Sequence, residues 1–174
     1  RNKITQSPKG WVEFNYYDGD ELVNIKYRSI RDKKFMQHKG GKPVFYGLND
    51  MAEWVYITEG EMDKLSVETA GIKSCISVPM GAPNPKDQNA DGKLKCMELA
   101  SDRLDKVEAF VIAVDCDQNG LRLREELARR LGKHRCKYVD FTPHKDANEY
   151  LMAEGVDKLE ELLTHPMDFP IEGI

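Results

Sequence analysis

The chain has only four cysteines, Cys75, Cys96, Cys116 and Cys136, and no two of them form a CxxC pair. That spacing disfavours a zinc site and offers no disulfide framework, so buried, reduced thiols are expected. No apolar run is longer than Ala109–Val114, far short of a bilayer span, and no secretory signal pattern opens the chain. The expectation is an intracellular protein with no membrane partner. No GxGxxG follows any expected strand, which removes the dinucleotide-binding Rossmann pattern. No GxxxxGK(S/T) loop is present either, so this segment carries no helicase or P-loop NTPase engine.

What is present suits a folded domain. At 174 residues, with 40% hydrophobic and 32% charged side chains, the chain can bury a real core. Its net charge of −4 does not mark the whole chain as a nucleic-acid binder. The charge is unevenly placed, however. Residues 26–42 carry Lys26, Arg28, Arg31, Lys33, Lys34, Lys39 and Lys42 against the single acid Asp32.

Residues 11–36 alternate loosely around the turn Asp18-Gly19-Asp20, which predicts an antiparallel hairpin or three-stranded ribbon. Leu-Asn-Asp-Met-Ala-Glu after Gly47 predicts a short helix with Asn49 as N-cap. From residue 54 strands alternate with helices, the mark of βαβ units and a parallel sheet. Strands are expected over 54–58, 75–78, 109–114 and 136–140, and helices over 62–70, 93–104, 119–132, 146–154 and 156–164. Residues 79–92 form a polar loop with three prolines, and loops of that length are often functional. The tail from His165 is Pro-interrupted and reads as a linker. The expected division is a β-rich basic subdomain over 1–53, an α/β domain over 54–164 and a linker over 165–174.

Two strands end abruptly in carboxylates. VYITEGEMD delivers Glu59, Glu61 and Asp63, and FVIAVDCDQ delivers Asp115 and Asp117. In open α/β sheets ligands bind at the carboxyl ends of the strands. Carboxylates crowded there repel unless a cation lies between them, and hard oxygen donors suit Mg²⁺ or Mn²⁺. Helix-start electrostatics account for Glu61 and Asp63 without any metal, and capping accounts for Asp117. Neither accounts for Glu59, placed before Gly60, or for Asp115, which leaves a core strand. Gly60 is expected to let the backbone turn sharply and a ligand come close. Strand alternation would point Asp115 and Asp117 the same way. In HKDANEY, Asp146 is expected to cap a helix, with Glu149 completing a capping box.

The trio EGEMD, DCD and KDANE, each closing a β-unit in this order, resembles the Toprim family shared by bacterial-type primases, topoisomerases and some nucleases. The stretches CISVPMGAP, YRSIRDKKF and VFYGLND make it most similar to the primase part of phage and Twinkle-type primase–helicases. The resemblance implies a Toprim fold, a mostly parallel sheet flanked by helices, with a small N-terminal antiparallel subdomain. It also implies a DNA primase that makes short RNA primers from NTPs on single-stranded DNA. Glu59, Asp115 and Asp117 match the family's catalytic acids, and Asp63 and Asp146 match further acids around the Mg²⁺ or Mn²⁺ site. Asn148 falls where many bacterial primases carry another Asp. Lys26, Arg28 and Lys34 lie where these primases hold template or nucleotide phosphates. The tail resembles the linker into a helicase, so zinc-binding and helicase domains are expected as partners in a longer protein. The competing expectations are another Toprim enzyme, a nuclease or topoisomerase, and a non-catalytic DNA-binding module.

Overall fold

The computed structural model describes residues 2–86 and 90–170. Parts of the expected 79–92 loop and of the tail lie outside these residues. The N-terminal ribbon is a four-stranded antiparallel sheet of β1 (Ile4–Gln6), β2 (Val12–Asp18), β3 (Glu21–Arg28) and β4 (Phe35–Gln37), in that order. The tight turn between β2 and β3 is made by Gly19 at φ 59°, a conformation that glycine adopts without steric cost.

Asn49 does not cap a helix. Gly47 occupies that position before a single 3₁₀ turn, Leu48–Asp50. The Asn49 side chain instead spans the Gly19 peptide group, accepting from its N–H at 2.9 Å and donating to its carbonyl at 2.8 Å. A local capping rule could not anticipate a contact between residues thirty positions apart.

The second sheet has the order β6-β5-β7-β8-β9. Strands β5 (Trp54–Thr58), β6 (Cys75–Ser77), β7 (Ala109–Ile112) and β8 (Cys136–Tyr138) are parallel. Helix α1 (Glu61–Thr69) follows β5, α5 (Gln118–Leu131) follows β7, and α6 (Ala147–Glu154) and α7 (Val156–Thr164) follow β8. The helix expected over 93–104 is broken into α2 (Ala90–Lys93), α3 (Lys95–Leu99) and α4 (Ser101–Leu104). Non-helical backbone at Leu94 and Ala100 separates the pieces. The breaks turn Leu94, Cys96, Met97, Ala100 and Leu104 into the core together. Strand β9 (Met167–Asp168) pairs antiparallel with β8, so the sheet extends into the segment read as a linker. Phe169 then packs edge-on against Tyr138, with ring centroids 5.1 Å apart.

Alternation along the strands builds two layers. Phe110, Ile112 and Val114 face one side with Val55, Ile57, Leu123 and Leu127. Val111 and Ala113 face the other with Val67, Phe141, Leu159 and Leu163. The first layer also contains Phe14, Tyr16, Val23, Phe45 and Tyr46, so the ribbon and the parallel sheet share one core. Tyr46 and Ser77 exchange backbone hydrogen bonds at 2.9 and 3.0 Å, which docks the ribbon's last segment on the edge strand β6. The four thiols are free, and all but Cys116 are buried, as expected.

Candidate functional site

The acids gather at the carboxyl ends of β5 and β7 and at the N-terminus of α6. Asp63, Asp115 and Asp146 bring carboxylate oxygens within 4.8 Å of one another, the arrangement a hard divalent cation needs. Each is placed differently. Asp63 lies in the first turn of α1, buried, and accepts from the Asn148 N–H at 3.0 Å. Asp115 lies three residues beyond the end of β7, with a side chain 12% exposed. Asp146 caps α6 by accepting from the Glu149 N–H at 2.8 Å, which leaves its second oxygen available. Glu149 reaches back to the Lys145 N–H rather than to the cap residue itself, one position earlier than a capping box requires.

Glu59 and Asp117 stand at the edge of this cluster. Glu59 accepts from the Asp115 N–H and the Ala82 N–H, each at 3.3 Å, and so joins β5, β7 and the loop after β6. Asp117 turns one oxygen to the Gly120 N–H at 2.8 Å, capping α5. Strand geometry ends at Ile112, so the alternation expected across 115–117 does not apply. Asp115 belongs to the cluster, whereas Asp117 gives one oxygen to its own helix and turns the other toward the Lys145 ammonium that Asp115 also meets. A β-carbon on Gly120 would lie 2.0 Å from the Asp115 carbonyl oxygen, so only glycine lets α5 start this close to the strand end. Gly60 is extended rather than turned, at φ −123°. Its lack of a side chain makes room for Asp63, whose Oδ2 would be 2.8 Å from a β-carbon there.

Burial and mutual repulsion make these acids harder to ionise. Desolvation, then the charge of Asp115, pushes Glu59 up to about 7. Desolvation likewise pushes Asp115 up to about 6, despite the favourable charge of Lys145. Asp63 is raised well above the usual carboxylate range by burial first and by the charge of Asp146 second. A divalent cation would relieve all three effects, and every donor is a hard oxygen, so the residues present fit Mg²⁺ or Mn²⁺.

A cleft of about 550 Å³ opens beside the cluster, lined by Glu59, Asp63 and Asp115 on one side and Lys26, Phe35 and Gln37 on the other. Cross-strand register puts Lys26 opposite Gln37 and Arg28 opposite Phe35, so these four share one face of the ribbon. Lys26 Nζ is 5.3 Å, and the Arg28 guanidinium 5.7 Å, from the centre of the half-exposed Phe35 ring. Lys26 is already committed, pairing with Glu61 at 2.7 Å and donating to the Pro79 carbonyl at 2.9 Å. Lys34 pairs with Asp32, is 73% exposed and does not line the cleft.

Three residues carry roles that the sequence patterns did not single out. Glu61, taken as a helix-dipole acid, is buried and also accepts from the Tyr16 hydroxyl at 2.5 Å. Lys64 is fully buried between Asp50 at 3.0 Å and Glu68 at 2.5 Å. Lys145 places its ammonium 3.3 Å from Asp115 and 3.9 Å from Asp117. A lysine next to a capping acid in KDANE was the one available signal for the last.

Comparison with known proteins places these features in a family. Residues 53–140 match the Toprim domain. The "Primase homolog protein" of Arabidopsis thaliana is 40% identical over 93% of the chain and 52% of its own length. The "Twinkle homolog protein, chloroplastic/mitochondrial" of the same plant is 39% identical over the whole chain and 27% of its own length. The chain thus spans about half, and about a quarter, of the curated relatives it matches. The primase fragment of the bacteriophage T7 primase-helicase superposes with a TM-score of 0.74 at 25% identity, over 93% of this chain and 65% of that one. Among the described residues no helix is long and apolar enough to cross a membrane. With half of its length matched by the family and its fold shared with a phage primase, this chain belongs to the Toprim domain family and is a primase-like member of it.

Proposed function

We propose that this chain is the RNA-polymerising domain of a metal-dependent DNA primase, joining NTPs into short primers on single-stranded DNA. The observation that carries the proposal is the two-walled cleft: Glu59, Asp63 and Asp115 on one side, Lys26 and Phe35 on the other, with Arg28 on the same ribbon face as Phe35 and Asp146 completing the acid cluster beside it. Asp63, Asp115 and Asp146 would hold Mg²⁺ or Mn²⁺. The bound cation would lower the pKa of a primer 3′-hydroxyl and neutralise the departing pyrophosphate.

The chain's own groups divide the remaining work. Glu59, which accepts from the Asp115 and Ala82 N–H groups at the edge of the cluster, is placed to accept the hydroxyl proton. Arg28 supplies a planar fork for phosphate oxygens of nucleotide or template. Lys26 adds positive charge to the same face while bracing it against Glu61. Asp117 keeps α5 capped at the strand end and so fixes the position from which Asp115 projects. Zinc-binding and helicase regions in the same polypeptide remain part of the proposal, as does an organellar or bacterial setting.

The test is template-dependent incorporation of labelled ATP and CTP on single-stranded DNA by the complete protein. Wild type should make short RNA in Mg²⁺ or Mn²⁺, and Asp115→Ala should lose at least about 100-fold, as expected for a metal ligand. Full activity in Asp115→Ala would overturn the proposal, and strand cleavage without NTPs would favour a nuclease instead.

A further inference from the structure

Lys145 is held in an unusual way. Its backbone is pinned on both sides: its N–H donates to Glu149 at 3.0 Å, and its carbonyl accepts from the Cys116 N–H at 2.7 Å. Its side chain is half-exposed and, among the described residues, its ion pairs are with Asp115 and Asp117. The result is a fixed post with a mobile charge at its tip, leaning on the oxygens of the acid cluster. A divalent cation ligated by Asp115 would have to share that carboxylate with the ammonium. Two cations crowding one carboxylate repel, and the one on a flexible four-carbon stem can leave. A released ammonium beside the cluster is a ready phosphate contact.

We propose that Lys145 is an internal stand-in for the divalent cation. It neutralises Asp115 and Asp117 until a cation binds, then turns outward to hold the phosphates of the incoming nucleotide. The first half needs only metal binding, and the second rests on the primase proposal above. Lys145 is therefore a positioning residue for the acids in the free protein and a ligand contact in the loaded one. Its loss should act with opposite sign on the two binding events.

Manganese affinity is measured first, by water-proton relaxation, on wild type, Lys145→Met and Lys145→Arg at neutral pH and low salt. ATP affinity at saturating Mn²⁺ follows by calorimetry. Lys145→Met should bind Mn²⁺ about tenfold tighter and ATP about tenfold more weakly, roughly what one partly screened charge provides. Lys145→Arg should lie near wild type in both. Unchanged or weaker Mn²⁺ binding in Lys145→Met overturns the stand-in role. Unchanged ATP affinity overturns the phosphate contact. Mn²⁺ binding by Lys145→Met alone would support the stand-in role in its extreme form. Absence of Mn²⁺ binding in every variant would sink both proposals, whereas wild-type binding with no response to Lys145 sinks only this one. Because the side chain is half-exposed, matching thermal unfolding curves should confirm that each variant folds.

Discussion

Glu59 and Asp115 shape how this protein responds to pH. Their folded-state values, about 7 and about 6, lie above those of the free side chains. A raised acid stabilises the fold while protonated, so this contribution is complete below about pH 4 and is lost as pH rises through 6 to 7. Thermal unfolding without metal should therefore show a falling Tm between pH 5 and 7.5, and Glu59→Gln should flatten the fall. Added Mn²⁺ should raise Tm more at pH 7.5 than at 5, because cation and protons compete for the same oxygens. An identical pH profile in wild type and Glu59→Gln would contradict the burial of that carboxyl. The position of single residues was readable where it followed from a strand end: Glu59 and Asp115 both lie just beyond the strands that the motifs close. Glu61 was not, because its partners Tyr16 and Lys26 lie 45 and 35 residues away. The helix-dipole explanation was locally sufficient and globally incomplete.

Among the elements, β3 and β4 separate the basic residues by face. Arg28 shares the cleft-side face with Phe35, whereas Lys34 lies in the connecting turn beside Asp32. Arg28→Ala should weaken binding of a fluorescent single-stranded oligonucleotide and reduce the slope of log affinity against log salt by about 0.7, one phosphate's share. Lys34→Ala should leave both nearly unchanged. Equal losses in the two variants would mean that diffuse charge, not the face, does the binding. The limits of β5, α5 and α7 follow closely from periodicity and caps. The break-up of 93–104 does not, since a helical pattern of apolar residues survives two kinks that only the shape of the core dictates. Strand β9 is two residues long and carries no periodicity at all.

At the scale of the molecule, the ribbon and the parallel sheet are fastened by ions as well as by apolar packing. Lys3 and Asp50 from the ribbon side meet Lys64 and Glu68 of α1 in one network. Lys64→Met would leave Asp50 and Glu68 sharing Lys3 alone, at a cost of about 3–5 kcal/mol. Urea unfolding should show that loss as a single cooperative transition. Two separated transitions would mean that the halves fold independently, against the common core. None of the four residues forms a motif, and a fully buried lysine is rare enough that composition gives no hint of it.

The Lys26–Glu61–Tyr16 junction, described above as bracing, also removes a degree of freedom. It crosses from ribbon to α1 at the back of the cleft, where a hinge would otherwise have to bend. Swinging the walls apart would strip a buried carboxylate of both partners, so the junction opposes opening of the cleft. Whatever adjusts to successive substrates must be small: rotating side chains such as Lys145, or the loop that Glu59 holds through Ala82. On the primase proposal, such a site would select by fixed width, as a gauge does, and would reject misaligned nucleotides without any closing motion to sense them.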